Sequence, residues 1–313
     1  MDNVSTKLLE EVLGLYGFEN AKVEFIRHNE NMTYSVEHNE KMYLLRIHSE
    51  VEGSDFSFFR GDFSREELIT GEIHILNGLC VNDKLKIQCP VKNKDGLYVT
   101  RLADGNVATV LAWINDEVLS KIILTDELIY KVGQMAGTLH QSLKLLPYVN
   151  RCQYDELYVA KFINETKTAK KSGHISAIQC KKFEKILITM KEVLQSEKDR
   201  LILIHGDLGK SNMIYNNDQI SPIDFSMCGY GIPEMDLGDL FVNFKNNELI
   251  LDGYKSVNDC KINNELLSLC ISYSLITYIM IHHNRLYKCR IFQNRIDRWC
   301  LETFDPLIQQ LNI

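Results

Sequence analysis

Residues 201–231, LILIHGDLGKSNMIYNNDQISPIDFSMCGYG, constrain this chain more than any other stretch. The apolar run Leu201–Ile204 ends in His205-Gly206-Asp207, and Asn212 follows five residues after the acid. A second apolar approach ends in Pro222-Ile223-Asp224-Phe225. Each acid therefore stands where a buried strand opens into a loop. A carboxylate, an amide and a second carboxylate in this register meet the needs of phosphoryl transfer from a nucleotide. One acid aligns and deprotonates an attacking hydroxyl. The amide oxygen and the other acid suit a hard divalent cation on the phosphates.

At 313 residues the chain is long for a single core and comfortable for a bilobal enzyme. The net charge of −7 removes any general electrostatic case for nucleic acid. That charge is uneven, with 12 basic against 18 acidic residues over 1–114 and 23 against 24 over 115–313. Nine Cys, with no C-x-x-C pair, predict reduced thiols rather than a disulfide framework or a zinc site. The acidic, amphipathic start MDNVSTKLLEEVLGLYGF argues against a signal peptide. Leu266–Ile281 is apolar but short for a bilayer and carries Ser272, Ser274 and Thr277, so it reads as a core helix. These features predict a cytoplasmic protein with no membrane partner, of undetermined oligomeric state.

Residues 5–16 read as a helix with Leu8, Leu9, Val12, Leu13 and Tyr16 on one face. Strands are predicted at Lys22–His28, Met32–His38 and Met42–His48, a loop over 49–64, and a helix from Arg65 that Gly78 ends. Further strands are expected near Leu97–Leu102 and Ala108–Ile114. Helices follow at Leu128–Leu145, Lys181–Val193 and Glu265–Arg285, with a strand-turn-strand at 201–225. The expected fold class is α+β, with a small antiparallel-sheet lobe over 1–114 and a larger, mainly helical lobe over 115–313.

His205-Gly206-Asp207-Leu208-x-x-x-Asn212 followed by Ile223-Asp224-Phe225, then Gly229-Tyr230-Gly231 and Asp236-Leu237-Gly238, resembles the aminoglycoside phosphotransferase family. That group is protein-kinase-like and includes choline and homoserine kinases. The resemblance implies the bilobal kinase fold, ATP or GTP as donor, and Mg²⁺. It implies Asp207 as catalytic base and Asn212 and Asp224 as metal ligands. In the small lobe it implies that Arg46, in Tyr43-Leu44-Leu45-Arg46-Ile47, contacts phosphates and pairs with Glu72. Glu30-Asn31-x-x-Tyr34 matches the loop over the phosphates, and Ala112-Trp113-Ile114 the connector that offers backbone groups to the purine. His140, in Gly133-x-x-Ala136-x-x-x-His140, is expected to be structural. The family usually has Lys where Arg46 stands, and a planar guanidinium is a different phosphate ligand from a point charge.

Gly209-Lys210-Ser211 imitates the end of a Walker A loop, but the first glycine of that motif would fall on Ile204. Lys210, three residues past Asp207, remains a possible phosphate contact. His282-His283 has no carboxylate at ligand spacing and is not read as a metal site. Segment 151–200 holds 11 basic against 7 acidic residues, and segment 282–300 five basic residues against Asp297. A basic surround would suit a neutral or anionic acceptor. The acceptor stays open among sugars, hydroxy amino acids, choline-like molecules and aminoglycosides. A protein Ser/Thr kinase or a non-catalytic nucleotide-binding protein are the other readings.

Overall fold

The computed structural model describes residues 3–28, 31–49, 62–81 and 84–313. It resolves into two compact units. The first comprises Met1–Val118, Leu146–Arg151 and Ile214–Ser226, and the second Leu119–Leu145, Cys152–Met213 and Met227–Ile313. The division thus lies at 118/119 rather than 114/115, and two later segments join the first unit. Strand pairing explains the second of them. β7 (Glu117–Val118) pairs with β9 (Met213–Asn216) through Glu117↔Tyr215 and Val118↔Ile214, and β10 (Gln219–Pro222) pairs with β9 in turn.

The first unit is built on an antiparallel sheet in the order β1 (Lys22–His28), β2 (Met32–His38), β3 (Lys41–His48), β6 (Val107–Ala112), β4 (Pro90–Val91), with β5 (Val99–Arg101) also on β6. Alternation sends Tyr34, Val36, Leu45, Ile47, Ala108 and Val110 to one face. There they pack with Leu8 and Val12 of α1 (Asn3–Tyr16) and with Phe18. Burying an aliphatic side chain of this kind contributes about 1.5–3 kcal/mol. The same alternation turns Arg46 to the opposite face. α2 (Arg65–Val81) buries Ile69, Glu72, Ile73 and Leu76. It runs past Gly78, so that glycine does not end it. An added Cβ at Gly78 would meet Leu146 Cδ2 at 2.6 Å, and close packing accounts for the residue. Residues 50–61 of the predicted loop lie outside the described residues.

Cys80 and Cys89 form a disulfide, which corrects the expectation that all thiols are free. α2 delivers Cys80 beside the residue that precedes β4, a spatial pairing that sequence spacing does not reveal. Seven other cysteines are free.

The second unit is helical: α3 (Asp126–Lys144), α4 (Glu156–Lys171), α5 (Ala177–Ser196), α6 (Pro233–Asn243), α7 (Asn247–Val257), α8 (Asn264–Leu286), α9 (Arg290–Trp299) and α10 (Asp305–Leu311). Four of these eight starts, those of α3, α4, α5 and α8, are capped by short polar side chains that take orphan N–H groups. Thr125 accepts from Leu128, Asp155 from Leu157 and Tyr158, and Ser176 forms a capping box with Gln179. α8 is long and apolar enough to cross a membrane by length and composition. Here it buries Leu267, Cys270, Ile276 and Ile279 and packs against α4, α5 and α6, as the core-helix reading expected. The two-stranded pair β8 (Ile202–Ile204) and β11 (Gly229–Gly231) carries the His205-Gly206-Asp207 turn.

Candidate active site

β8 stops at Ile204, and the chain turns at Gly206 with φ +78°. A Cβ there would stand 2.4 Å from the Met227 carbonyl, so only glycine fits. The turn is clamped from α6. Asp236 is fully buried and accepts the His205 N–H on Oδ2 and the Gly206 N–H on Oδ1, both at 2.8 Å. Its Oδ2 also takes His140 Nε2 at 2.9 Å. Since the carboxylate can only accept, Nε2 carries the proton, and Nδ1 accepts the Tyr254 hydroxyl at 2.8 Å. Burial raises the Asp236 pKa, but the hydrogen bonds from His140 and the Gly206 N–H outweigh it and hold the carboxyl below its ordinary range. His140 thus links α3, α6 and α7.

Held this way, Asp207 presents an exposed carboxylate. Asn212 Nδ2 donates to Asp207 Oδ2 at 2.7 Å and to its carbonyl at 3.0 Å. Those bonds use the amide's donor side and leave Oδ1 as its oxygen for a cation. Lys210 seats its ammonium over the Phe244 ring, 4.9 Å from the centroid. A carboxyl that the spacing argument missed belongs to the same unit. Asp239, one turn beyond Asp236, accepts the Leu208 N–H and the Ser274 hydroxyl. Withdrawal from water, then the Asp236 and Asp207 charges, push its pKa well up.

In the first unit, Arg46 Nη1 donates to Glu72 Oε1 at 2.8 Å, and both side chains are more than nine-tenths buried. Arg46 Nη2 lies 3.6 Å from Asp224 Oδ1. Asp224 stands at φ +65°, in the left-handed region that Asp tolerates better than most residues. Its Oδ2 accepts Arg27 Nη2 at 3.1 Å. Arg151 fixes the following residues. It is buried and donates to the carbonyls of Leu68, Phe225 and Ser226. Neither Arg27 nor Arg151 belongs to a motif, and a lone arginine carries no signal in one sequence. Asn31 Oδ1 takes Arg65 Nη2 at 3.3 Å, while Glu30 lies outside the described residues. In the connector, the Trp113 N–H is spent on Met42 O and the Ala112 N–H on Cys89 O. The Ile114 N–H and the connector carbonyls are what it has left for a purine.

The sequence-predicted residues thus fall into two groups. The first unit brings Arg46, Glu72 and Asp224 together, and the second brings Asp207 and Asn212 together. Asn212 Oδ1 in the second unit and the Asp224 carboxylate in the first are each, by donor chemistry, hard oxygens of the kind Mg²⁺ or Ca²⁺ takes. His283, not read as a ligand, does have a carboxylate partner in space. Its Nε2 meets Glu165 Oε1 and its Nδ1 meets His174 Nδ1, each at 2.8 Å. Among the described residues no group of three such side chains could hold a metal.

Residues 108–269 match the model of the choline/ethanolamine kinase family. The chain belongs to this family. It is a phosphotransferase of the aminoglycoside-phosphotransferase and protein-kinase-like group, using a nucleotide donor and a small-molecule hydroxyl acceptor. Amicoumacin kinase of Bacillus subtilis (strain 168) is 25% identical over 251 residues, 76% of this chain and 67% of that one. The Protein LicA homolog of Metamycoplasma hominis is 24% identical over 194 residues, 60% of this chain and 72% of that one. Among solved structures, amicoumacin kinase hAmiN, in complex with AMP-PNP, Ca²⁺ and Ami, superposes with a TM-score of 0.75 at 19% identity, over 98% of this chain and 94% of that one. A microcompartment-associated aminopropanol kinase reaches 0.73 at 19% identity, over 95% and 98%. These likenesses show a shared fold across nearly the whole chain.

Proposed function

We propose that this choline/ethanolamine kinase family member moves the γ-phosphate of ATP to the hydroxyl of a small amino alcohol in the cytoplasm. Asp207 is the catalytic base. Its carboxylate accepts the acceptor's O–H, aligns that oxygen with the γ-phosphorus and takes the proton as the new P–O bond forms. The bond to the β,γ-bridging oxygen breaks and ADP leaves. Asn212 and Asp224 hold Mg²⁺, which supplies charge neutralisation on the phosphates when bound. Arg46, oriented by Glu72, steadies the phosphates, with Asn31 beside them. Trp113 and Ile114 line the purine side, and Lys210, seated on Phe244, is the remaining candidate phosphate contact.

The single observation that carries the reading is the double hold on Asp207: Asn212 on its carboxylate and Asp236 on the two preceding N–H groups. That is how a base is kept in one orientation before substrate arrives. An amine on the acceptor accords with the choline/ethanolamine kinase family match and with the likeness to an aminopropanol kinase. Four of the eleven basic residues of 151–200, whose balance would argue otherwise, are engaged by carboxylates or a carbonyl. Lys182 pairs with Asp305, Lys198 with Glu156, Arg200 with Glu234, and Lys185 with the Ile313 carbonyl.

The test is phosphate transfer from ATP and GTP with Mg²⁺ to a panel of amino alcohols, aminoglycosides, sugars and a generic protein. Transfer confined to amino alcohols is expected. In D207N, kcat should fall by about 10²–10⁴-fold while nucleotide affinity is kept. A D207N enzyme with undiminished kcat would remove the base assignment.

A further inference from the structure

Strand β1 carries a β-bulge. Val23 pairs with Val36 and Phe25 with Tyr34, but Arg27 pairs with Thr33, so Ile26 is an extra residue. Without the bulge Arg27 would face Met32, in the row of Tyr34 and Val36 that packs on the apolar core. A one-residue shift moves a side chain to the other face of a sheet, and bulges re-aim side chains in this way. With the bulge, Arg27, Thr33, Arg46 and Thr109 form one cross-strand row on the Arg46 face. That row puts two guanidinium groups on the Asp224 carboxylate, Arg27 on Oδ2 at 3.1 Å and Arg46 near Oδ1 at 3.6 Å.

The two arginines are not equivalent. Arg46 is buried and shares its charge with Glu72. Arg27 is half-exposed, and Asp224 is its ion-pair partner among the described residues. Arg27 is thus a solvent-exposed counter-ion on a carboxylate whose proposed task is to bind a divalent cation. A cation and a guanidinium compete for the same oxygen lone pairs. When nucleotide enters, its phosphates offer the guanidinium another anion with matching geometry.

We propose that Arg27 is a placeholder on Asp224, which holds a bare divalent cation off that carboxylate and releases it when nucleotide phosphates bind. The proposal rests on the reading of Asp224 as a metal ligand. Metal and nucleotide binding are then linked, each raising the affinity of the other by the same factor. The ion pair is partly exposed, so the linkage is modest.

The experiment measures free Mn²⁺ by electron paramagnetic resonance in titrations of the full chain, with and without a non-hydrolysable ATP analogue. Wild type, R27M, R27Q and D224N are compared, each first checked for an unchanged thermal transition. Removing Arg27 is expected to tighten Mn²⁺ alone by roughly 2–5-fold and to shrink the nucleotide-dependent gain in Mn²⁺ affinity. D224N should lose most Mn²⁺ binding in both conditions. Unchanged affinity for Mn²⁺ alone in both Arg27 variants, with binding lost in D224N, overturns the placeholder and leaves the metal assignment standing. Full Mn²⁺ binding by D224N overturns the metal assignment and the placeholder together.

Discussion

Arg46 stands where the aminoglycoside phosphotransferase pattern has Lys, and its geometry shows what the larger group adds. One guanidinium reaches Glu72 through Nη1 and Asp224 through Nη2. A lysine ammonium at that Cα is a single point and cannot hold both carboxylates in the same arrangement. R46K should therefore raise KM for nucleotide by about tenfold or more, with a smaller change in kcat, in steady-state assays at saturating acceptor. An unaltered KM would mean that charge alone suffices at this position. Asp207, Asn212, Arg46 and Glu72 were legible in the sequence because each sits at a fixed offset within a short motif. Arg27, Arg151 and Asp239 were not, because their roles arise from a strand bulge, a loop return and a helix turn that bring distant residues together.

Helices were read best where an apolar stripe was long and capped, as in α3, where Thr125 precedes Asp126 and Glu127. α4, α6, α7, α9 and α10 escaped the reading. α4 and α9 are rich in charge, and α6 buries Glu234 and Asp236 beside its apolar residues, which blurs its period. β4 and β7, of two residues each, are too short for any alternation to register. The pairing of α3 with α7 depends on two glycines. A Cβ on Gly253 would lie 2.0 Å from the Tyr130 carbonyl oxygen, and one on Gly133 would lie 2.1 Å from that of Ile250. The obstructing atoms are backbone and cannot rotate aside. G253A should destabilise the protein by at least about 2 kcal/mol, read from the urea midpoint at constant m. A wild-type midpoint would show that the two helices separate without cost.

For the chain as a whole, the order of predicted strands and helices located the fold class, while cysteine spacing misjudged the thiols. The cysteines are not all reduced in the structure, because Cys80 and Cys89 meet across elements that sequence spacing does not bring together. Stability also has a pH limb that follows from a buried group. His48 is hydrogen-bonded to Thr109 at 2.9 Å, and burial followed by the Arg46 and Arg65 charges holds its pKa well below the ordinary 6.5. The unfolded chain then binds a proton that the folded chain refuses, so stability is full above about pH 6.5 and falls as pH drops below it. Urea midpoints should decline between pH 7 and pH 5.5, and H48Q should decline less steeply. Parallel pH dependences in the two proteins would assign the limb to other groups.

The two N–H groups that Asp236 accepts have a consequence for time rather than for structure. An amide exchanges its hydrogen with solvent only when its bond opens, and these bonds end on a carboxylate that is itself buried and held by His140. Opening either one exposes an uncompensated charge, so the local route is closed and exchange waits for a larger unfolding event. In deuterium-exchange mass spectrometry the peptide spanning His205 and Gly206 should retain its label as long as the β8 core does, although it sits in a loop. The His205-Gly206-Asp207 turn then keeps the clock of the helical core, and its lifetime reports the unfolding of that core.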